Sequence, residues 1–207
     1  ADLMIGIPEQ TSESLSVSFV ELLKLPLKHI SAYLLKIEKN TPYDTDSIID
    51  LLPNEDCVAD LYLQTINALE RNGFEQYEIS NFSKKGYECK HNLKYWRCEE
   101  YIGLGPSAHS FYDGKRLEVQ KSLNDFISNE FQTEIVNEEH PHTFDEVAML
   151  RLRLTEGLSR NICEEFNVDF QGIIKKAEPL KKAGLVDISD DRIIITKEGF
   201  LVSNSII

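Results

Sequence analysis

The first 80 residues alternate between strand-like and helix-like segments. Short apolar runs over residues 2–7 and 29–37 are typical of strands buried in a sheet, and residues 74–80 predict a third strand. Between them, residues 11–25 and 54–71 each carry an apolar stripe at helical spacing. This strand–helix–strand–helix–strand order predicts an α/β fold with a parallel sheet or barrel.

The pattern changes after residue 110. Asp113-Gly114 predicts a tight hairpin turn of type I′. A polar stretch over residues 134–142 predicts a linker, so we expect one domain over residues 1–136 and a second over residues 143–207. In the second domain, helix signals precede two short apolar strands, which predicts a small helical, winged-helix-like domain.

The overall charge limits the classes of partner. The chain has 22 Lys and Arg against 35 Asp and Glu, a net charge of −13. This balance argues against nucleic-acid binding, because contact with a phosphate backbone needs a basic surface. The first ten residues lack the features of a secretion signal, so a cytoplasmic location is expected, with any membrane association occurring through a partner.

The cysteines at positions 57, 89, 98 and 163 lie too far apart for a tight pair of metal ligands. Without a secretion signal they are expected to be free thiols, buried or half-buried, rather than disulfides. We therefore predict no iron–sulfur ligands in this chain.

One window runs against the acidic average. Residues 82–97 hold five Lys or Arg and one Glu, a local charge of +4, together with His91, Tyr95 and the single Trp, Trp96. Aromatic faces beside cations suit a flat anionic ligand such as a porphyrin with propionates, and His91 could ligate its iron. The alternative is a solvated loop whose aromatic rings cover the edge of the sheet, and spacing alone favours that alternative.

Two further places could contact a ligand. Gly103 and Gly105 permit close approach of a ligand to the backbone, although the segment lacks a full dinucleotide fingerprint. His109 nearby could either face a site or lie hydrogen-bonded in the core. Asp2, at the head of the first strand, could hold ribose hydroxyls.

Several segments resemble the oxygen-independent coproporphyrinogen III oxidase-like radical SAM family. They are DLMIGIP from Asp2, HISAY from His29, most of the block over residues 73–110, and LRLTEGL from Leu152. The resemblance covers nearly the whole chain. Within it, HNLKYW over residues 91–96 fits the H-N-x-x-Y-W heme-binding signature of the heme-chaperone branch.

The resemblance implies a partial (β/α)6 barrel followed by a helical C-terminal domain. It implies that this chain binds heme and passes it to a respiratory heme protein. It also implies S-adenosylmethionine contacts at Asp2, through the ribose, and at His109. The residues that it implies for heme contact are His91, as a possible iron ligand, Asn92, Tyr95 and Trp96.

The chain also departs from the family. The C-x3-C-x2-C motif that binds the [4Fe–4S] cluster, which in the family precedes the segment corresponding to Asp2, is absent, as is the Gly-rich S-adenosylmethionine segment. The chain thus resembles a C-terminal portion and is predicted to be inactive alone as a radical enzyme. Its first strand should present an open edge to the missing half of the barrel or to a second copy. A fragment of a true oxidase, or an interaction domain without a ligand, remain alternatives.

Overall fold

The computed structural model of the protein describes residues 1–128, 134–139 and 141–206. Its helices and strands occur in the order β1 (Asp2–Ile5), α1 (Ser12–Leu22), β2 (His29–Leu34), α2 (Asp46–Ile49), α3 (Glu55–Arg71), β3 (Glu75–Glu78), β4 (Asn81–Ser83), α4 (Lys90–Trp96), β5 (His109–Tyr112), β6 (Lys115–Val119), α5 (Leu123–Ser128), β7 (Glu134–Glu138), α6 (Phe144–Arg151), β8 (Leu158–Ser159), α7 (Arg160–Glu165), α8 (Phe170–Lys182), β9 (Val186–Ile188), β10 (Arg192–Ile195), α9 (Lys197–Leu201) and α10 (Ser203–Ile206).

The first sheet has the strand order β1-β2-β4-β3. β1 and β2 are parallel, whereas β4 runs antiparallel to both β2 and β3. The expectation of a purely parallel sheet is therefore wrong. After β3 the chain turns at Ile79-Ser80 and returns as β4, which inserts between β2 and β3. Because Phe82 on β4 is fully buried, this return strand completes the core that the sequence pattern assigned to three strands.

Helices α1 and α3 pack on one face of this sheet. Their starts follow from capping: Thr11 forms a capping box with Ser14, and Asn54 accepts the Cys57 N–H. The apolar sides of the two helices meet the buried side of the strands. The shared buried residues are Ile5, Leu15, Phe19, Ile30, Ala32, Leu61, Ile66, Leu69 and Phe82.

A second sheet has the order β5-β6-β7. The predicted turn is confirmed, because Asp113 and Gly114 both have positive φ, 49° and 69°. The linker prediction is wrong for residues 134–138, which form β7 and pair with the edge of β6. Apolar Ile135 and Val136 and the free edge of β6 favour this pairing. Residue 140 lies outside the described residues, and β7 continues past the domain boundary predicted at residue 136.

The last third of the chain combines helices with a small antiparallel sheet of order β8-β10-β9. Its buried residues, including Leu158, Phe170 and Ile193, join the same core cluster as Ile66 of α3. Lys197 at the start of α9 also lies 2.6 Å from a carboxylate oxygen of Glu70. The C-terminal segment is thus packed directly against the first sheet and its helices.

The two edges of the first sheet differ. The outer side of β3 is covered, since Ile79 N–H donates to the Arg153 carbonyl and Thr155 N–H to the Tyr77 carbonyl. The outer side of β1 has no strand beside it among the described residues. Its Met4 carbonyl accepts a hydrogen bond from the Gln10 side chain instead. In the part of the chain that the structure describes, no helix has the length and apolar character needed to cross a bilayer.

Candidate functional site

The HNLKYW segment forms most of helix α4. The alternative of a solvated loop is therefore wrong for residues 90–96. Its start was hard to predict, because Cys89 at the N-cap makes no side-chain capping bond. None of the side chains of α4 is fully buried, so the helix lies on the surface of the molecule.

His91 and Tyr95 lie one turn apart on the same side of α4 and contact each other. The His91 Nε2 atom is 2.9 Å from the Tyr95 hydroxyl, and the rings meet edge to face at 5.0 Å between centroids. The Tyr95 ring in turn lies 4.5 Å from that of Tyr101. The structure thus brings His91 and Tyr95 into a row of three aromatic rings, with Tyr95 41% exposed.

The side of α4 that carries Lys90, Leu93, Lys94 and Arg97 borders a cavity of about 560 Å³. Neither His91, Asn92, Tyr95 nor Trp96 lines this cavity. The cavity is lined by both basic and acidic side chains. Two of these, Arg97 and Glu156, form an ion pair with hydrogen bonds of 3.0 and 3.2 Å. The lining residues are Tyr77, Glu88, Lys90, Leu93, Lys94, Arg97, Glu99, Leu154, Thr155 and Glu156.

The face of the first sheet that does not pack on α1 and α3 carries polar residues in register. Asp2 lies opposite Ser31, Ser31 opposite Asn81, and Asn81 opposite Glu78. Glu78 is fully buried and accepts hydrogen bonds from Ser80 N–H and the Asn81 amide. Burial raises the pKa of the Glu78 carboxyl. The buried Oδ1 atom of Asn81 has no hydrogen-bond partner among the described residues.

Two residues that the sequence did not single out join this face to α4. The Tyr77 hydroxyl lies 2.7 Å from His29 Nε2 and accepts the backbone N–H of Cys89 at 3.3 Å. Burial raises the pKa of Tyr77 to about 12 and lowers the pKa of His29. The only signal in the sequence was the run of polar residues along the third strand, which did not distinguish Tyr77.

His109 lies at the start of β5 in the second sheet, where it pairs with Glu118, whereas Asp2 belongs to the first sheet. At Gly103 the backbone of the chain itself occupies the space that a side chain would need, which explains the glycine by packing within the chain. A Cβ atom on Gly103 would lie 2.2 Å from the His109 carbonyl oxygen. The Gly103 N–H also donates to the Ser110 hydroxyl.

The four cysteines occupy different environments. Cys57 on α3 is exposed, contrary to expectation, while Cys89 and Cys98 flank α4 and Cys163 is buried in α7. Within the described ranges, no three His, Cys, Asp or Glu side chains are grouped so that they could hold a metal ion. The thiols of this chain therefore do not fit the ligand set of an iron–sulfur cluster.

Comparisons with known proteins agree with the sequence resemblance. Residues 140–202 match the family described as HemN C-terminal domain. Heme chaperone HemW of Bacillus subtilis is 33% identical over 99% of this chain and 56% of its own length. Heme chaperone HemW of Escherichia coli is 35% identical over 77% of this chain and 43% of its own length.

A solved structure matches the fold. Coproporphyrinogen III oxidase (HemN) from Escherichia coli, described as a radical SAM enzyme, has a TM-score of 0.69 and 21% identity, covering 99% of this chain and 52% of that chain. The chain spans about half the length of the curated relatives it matches. It belongs to the HemN-like radical SAM family, in its heme-chaperone branch, and corresponds to a C-terminal portion.

Proposed function

We propose that this chain is the heme-binding portion of a heme chaperone. The observation that carries the proposal is the row formed by His91, Tyr95 and Tyr101 on the exposed side of α4. The names of the HemW relatives support the same function. An imidazole on an open surface can approach heme iron, whereas a buried one could not.

Each residue of the HNLKYW signature has a separate role in the proposal. His91 ligates the heme iron and the Tyr95 ring contacts the porphyrin face, whereas Trp96, which is not part of the row, is assigned to heme by the family resemblance. Asn92 completes the four residues that the family resemblance assigns to heme. Lys90 and Lys94, on the adjoining side of the helix, bind the propionates through charge-assisted hydrogen bonds.

In the whole protein, we propose that the first sheet forms part of a (β/α)6 barrel and the last third a winged-helix-like domain. The acceptor-rich row from Asp2 to Glu78 fits a ligand with hydroxyl or ammonium donors, such as S-adenosylmethionine, and so does the Asn81 Oδ1 atom, which has no partner in the described part of the chain. Bound S-adenosylmethionine would supply radical chemistry that also needs the [4Fe–4S] cluster of the parent. His109 would contact the same ligand only from a second sheet.

The proposed partners follow from this assignment. Heme is the cargo, a respiratory heme protein receives it in the cytoplasm, and nucleic acid is not a partner. The remaining half of the barrel, or a second copy of this chain, would pair with the outer side of β1.

A titration with hemin tests the proposal. The wild type should bind hemin with the absorption spectrum of a nitrogen-ligated iron, and His91→Ala should lose this signature. Imidazole added to His91→Ala should restore the spectrum, because it replaces the missing ligand. Tyr95→Phe should weaken binding, whereas Tyr112→Phe, on an exposed tyrosine of β5, serves as its control. Identical spectra for wild type and His91→Ala would contradict the proposal.

A further inference from the structure

We infer that Tyr77 and Glu156 hold the two ends of α4 and thereby position His91 for its ligand. Neither residue belongs to the HNLKYW segment. The role in heme binding rests on the proposed function, whereas the attachment of the helix does not. Tyr77 and Glu156 would be positioning residues, since they act through α4 and touch no heme.

Helix α4 depends on contacts at its ends. It has seven residues, and a helix so short is marginal in water without tertiary contacts. None of its side chains is fully buried, so no core residue anchors it. Its N-cap residue, Cys89, supplies no side-chain capping bond either.

The Tyr77 hydroxyl holds the N-terminal end. Cys89 N–H donates to the hydroxyl oxygen at 3.3 Å, so one of its lone pairs is used as an acceptor. The hydroxyl proton is then available for His29 Nε2, 2.7 Å away. Burial lowers the pKa of His29 and so favours the neutral ring that can accept this proton.

Glu156 holds the C-terminal end. Its two carboxylate oxygens accept from Nε and Nη2 of Arg97, the C-cap residue of α4. Arg151 strengthens this end, because its Nη2 donates to the Arg97 carbonyl at 3.1 Å and its Nη1 lies 3.7 Å from Glu156. Bidentate pairing of this kind fixes direction as well as distance.

The two residues that hold α4 are linked to each other through Thr155. Thr155, next to Glu156, donates to the Tyr77 carbonyl through its backbone N–H at 3.1 Å and its hydroxyl at 3.2 Å. Glu156 and Thr155 lie within residues 140–202, the segment matched as the HemN C-terminal domain. On this inference, the C-terminal segment fixes the helix that carries His91.

The experiment compares two conservative variants with two matched controls. Tyr77→Phe removes the hydroxyl at α4, and Tyr62→Phe removes the buried hydroxyl that donates to the Ile79 carbonyl. Glu156→Gln breaks the pair with Arg97, and Glu70→Gln breaks the pair with Lys197. The two ion pairs are similarly exposed, at 36% and 40% for Arg97 and Glu156 against 41% and 38% for Lys197 and Glu70. Hydrogen exchange over residues 88–98 is measured without heme, and hemin is then titrated.

Tyr77→Phe and Glu156→Gln should speed exchange over residues 88–98, and the controls should not. Both should weaken hemin binding by about 2- to 10-fold, the size expected for one lost hydrogen bond or ion pair, and reduce the His91-dependent spectral signature. Unchanged exchange in both variants would overturn the attachment. Faster exchange with unchanged hemin spectra would overturn its role in positioning His91. Absence of hemin binding by the wild type would overturn the proposed function, while the exchange result would still decide the attachment.

Discussion

The Tyr77 hydroxyl lies 2.7 Å from Nε2 of His29, although β4 separates the strands that carry these residues. The strand between them contributes Ser83, which lies in register with both His29 and Glu75 and has a small side chain. A larger residue at this position would stand between the two rings. The contact therefore depends on a feature of the intervening strand as well as on its two partners.

The buried His29 predicts a loss of stability on acidification. Burial lowers its pKa below the ordinary value of 6.5, and the charge of the chain N-terminus acts in the same direction. The unfolded chain therefore binds more protons below that pH, and the free energy of unfolding falls as pH falls. His29→Gln keeps an acceptor for Tyr77 but does not titrate. Its free energy of unfolding in urea should decrease less between about pH 7 and pH 5 than that of the wild type.

The control for this prediction is His142→Gln. Burial also lowers the pKa of His142. Each single variant should therefore keep part of the pH dependence of the free energy of unfolding, and the double variant should keep less of it than either single variant. The same decrease in wild type and His29→Gln would contradict the assigned role of His29.

Lys90 and Lys94 are predicted to recognise the propionates of heme. Lys94 already contacts the Glu100 carbonyl and lies 3.6 Å from Glu99, so its contribution should be modest. Changing both residues to Gln should weaken hemin binding by about 2- to 30-fold, since each exposed ion pair contributes about 0.2–1 kcal/mol. Binding of the dimethyl ester of hemin should not change. Lys175 and Lys176 of α8 serve as control positions, and an equal loss with the ester would contradict the role.

Gly103 is predicted to tolerate no side chain. In Gly103→Ala the added methyl group would meet the His109 carbonyl oxygen at 2.2 Å, and backbone cannot move aside as a flexible side chain would. We expect a loss of about 1–3 kcal/mol in the free energy of unfolding, measured in urea. At Gly172 the nearest atom is the end of the Asp169 side chain, so Gly172→Ala should cost less. Equal effects at both positions would contradict this explanation.

The sequence predicted those parts of the fold that local rules control. The helix starts near Thr11 and Asn54 and the turn at Asp113-Gly114 follow from capping and turn chemistry, and the structure confirms them. Strand β4 was missed because a change of direction after two residues leaves the apolar pattern of the segment unchanged.

In the candidate site, too, the sequence identified some residues and missed others. The resemblance identified residues 91–96, and the helix brings His91 and Tyr95 into contact as spacing of one turn allows. Tyr77, His29 and Glu156 were missed, because their contacts join segments 12 to 78 residues apart in the chain. No local pattern records such pairings.

The outer side of β1 sets how this sheet can grow. The carbonyls of Ala1 and Ile5 accept from β2 and the residue after it, so the backbone groups of Asp2 and Met4, which alternate with them, point outward. The Gln10 side-chain amide donates a hydrogen bond to the Met4 carbonyl and so occupies one of the few outward-facing backbone acceptors. A strand that joins here must displace an amide side chain first. A strand that adds to this edge therefore competes with the Gln10 side chain for the Met4 carbonyl. Replacing Gln10 with a residue of shorter side chain should make the chain more prone to self-association.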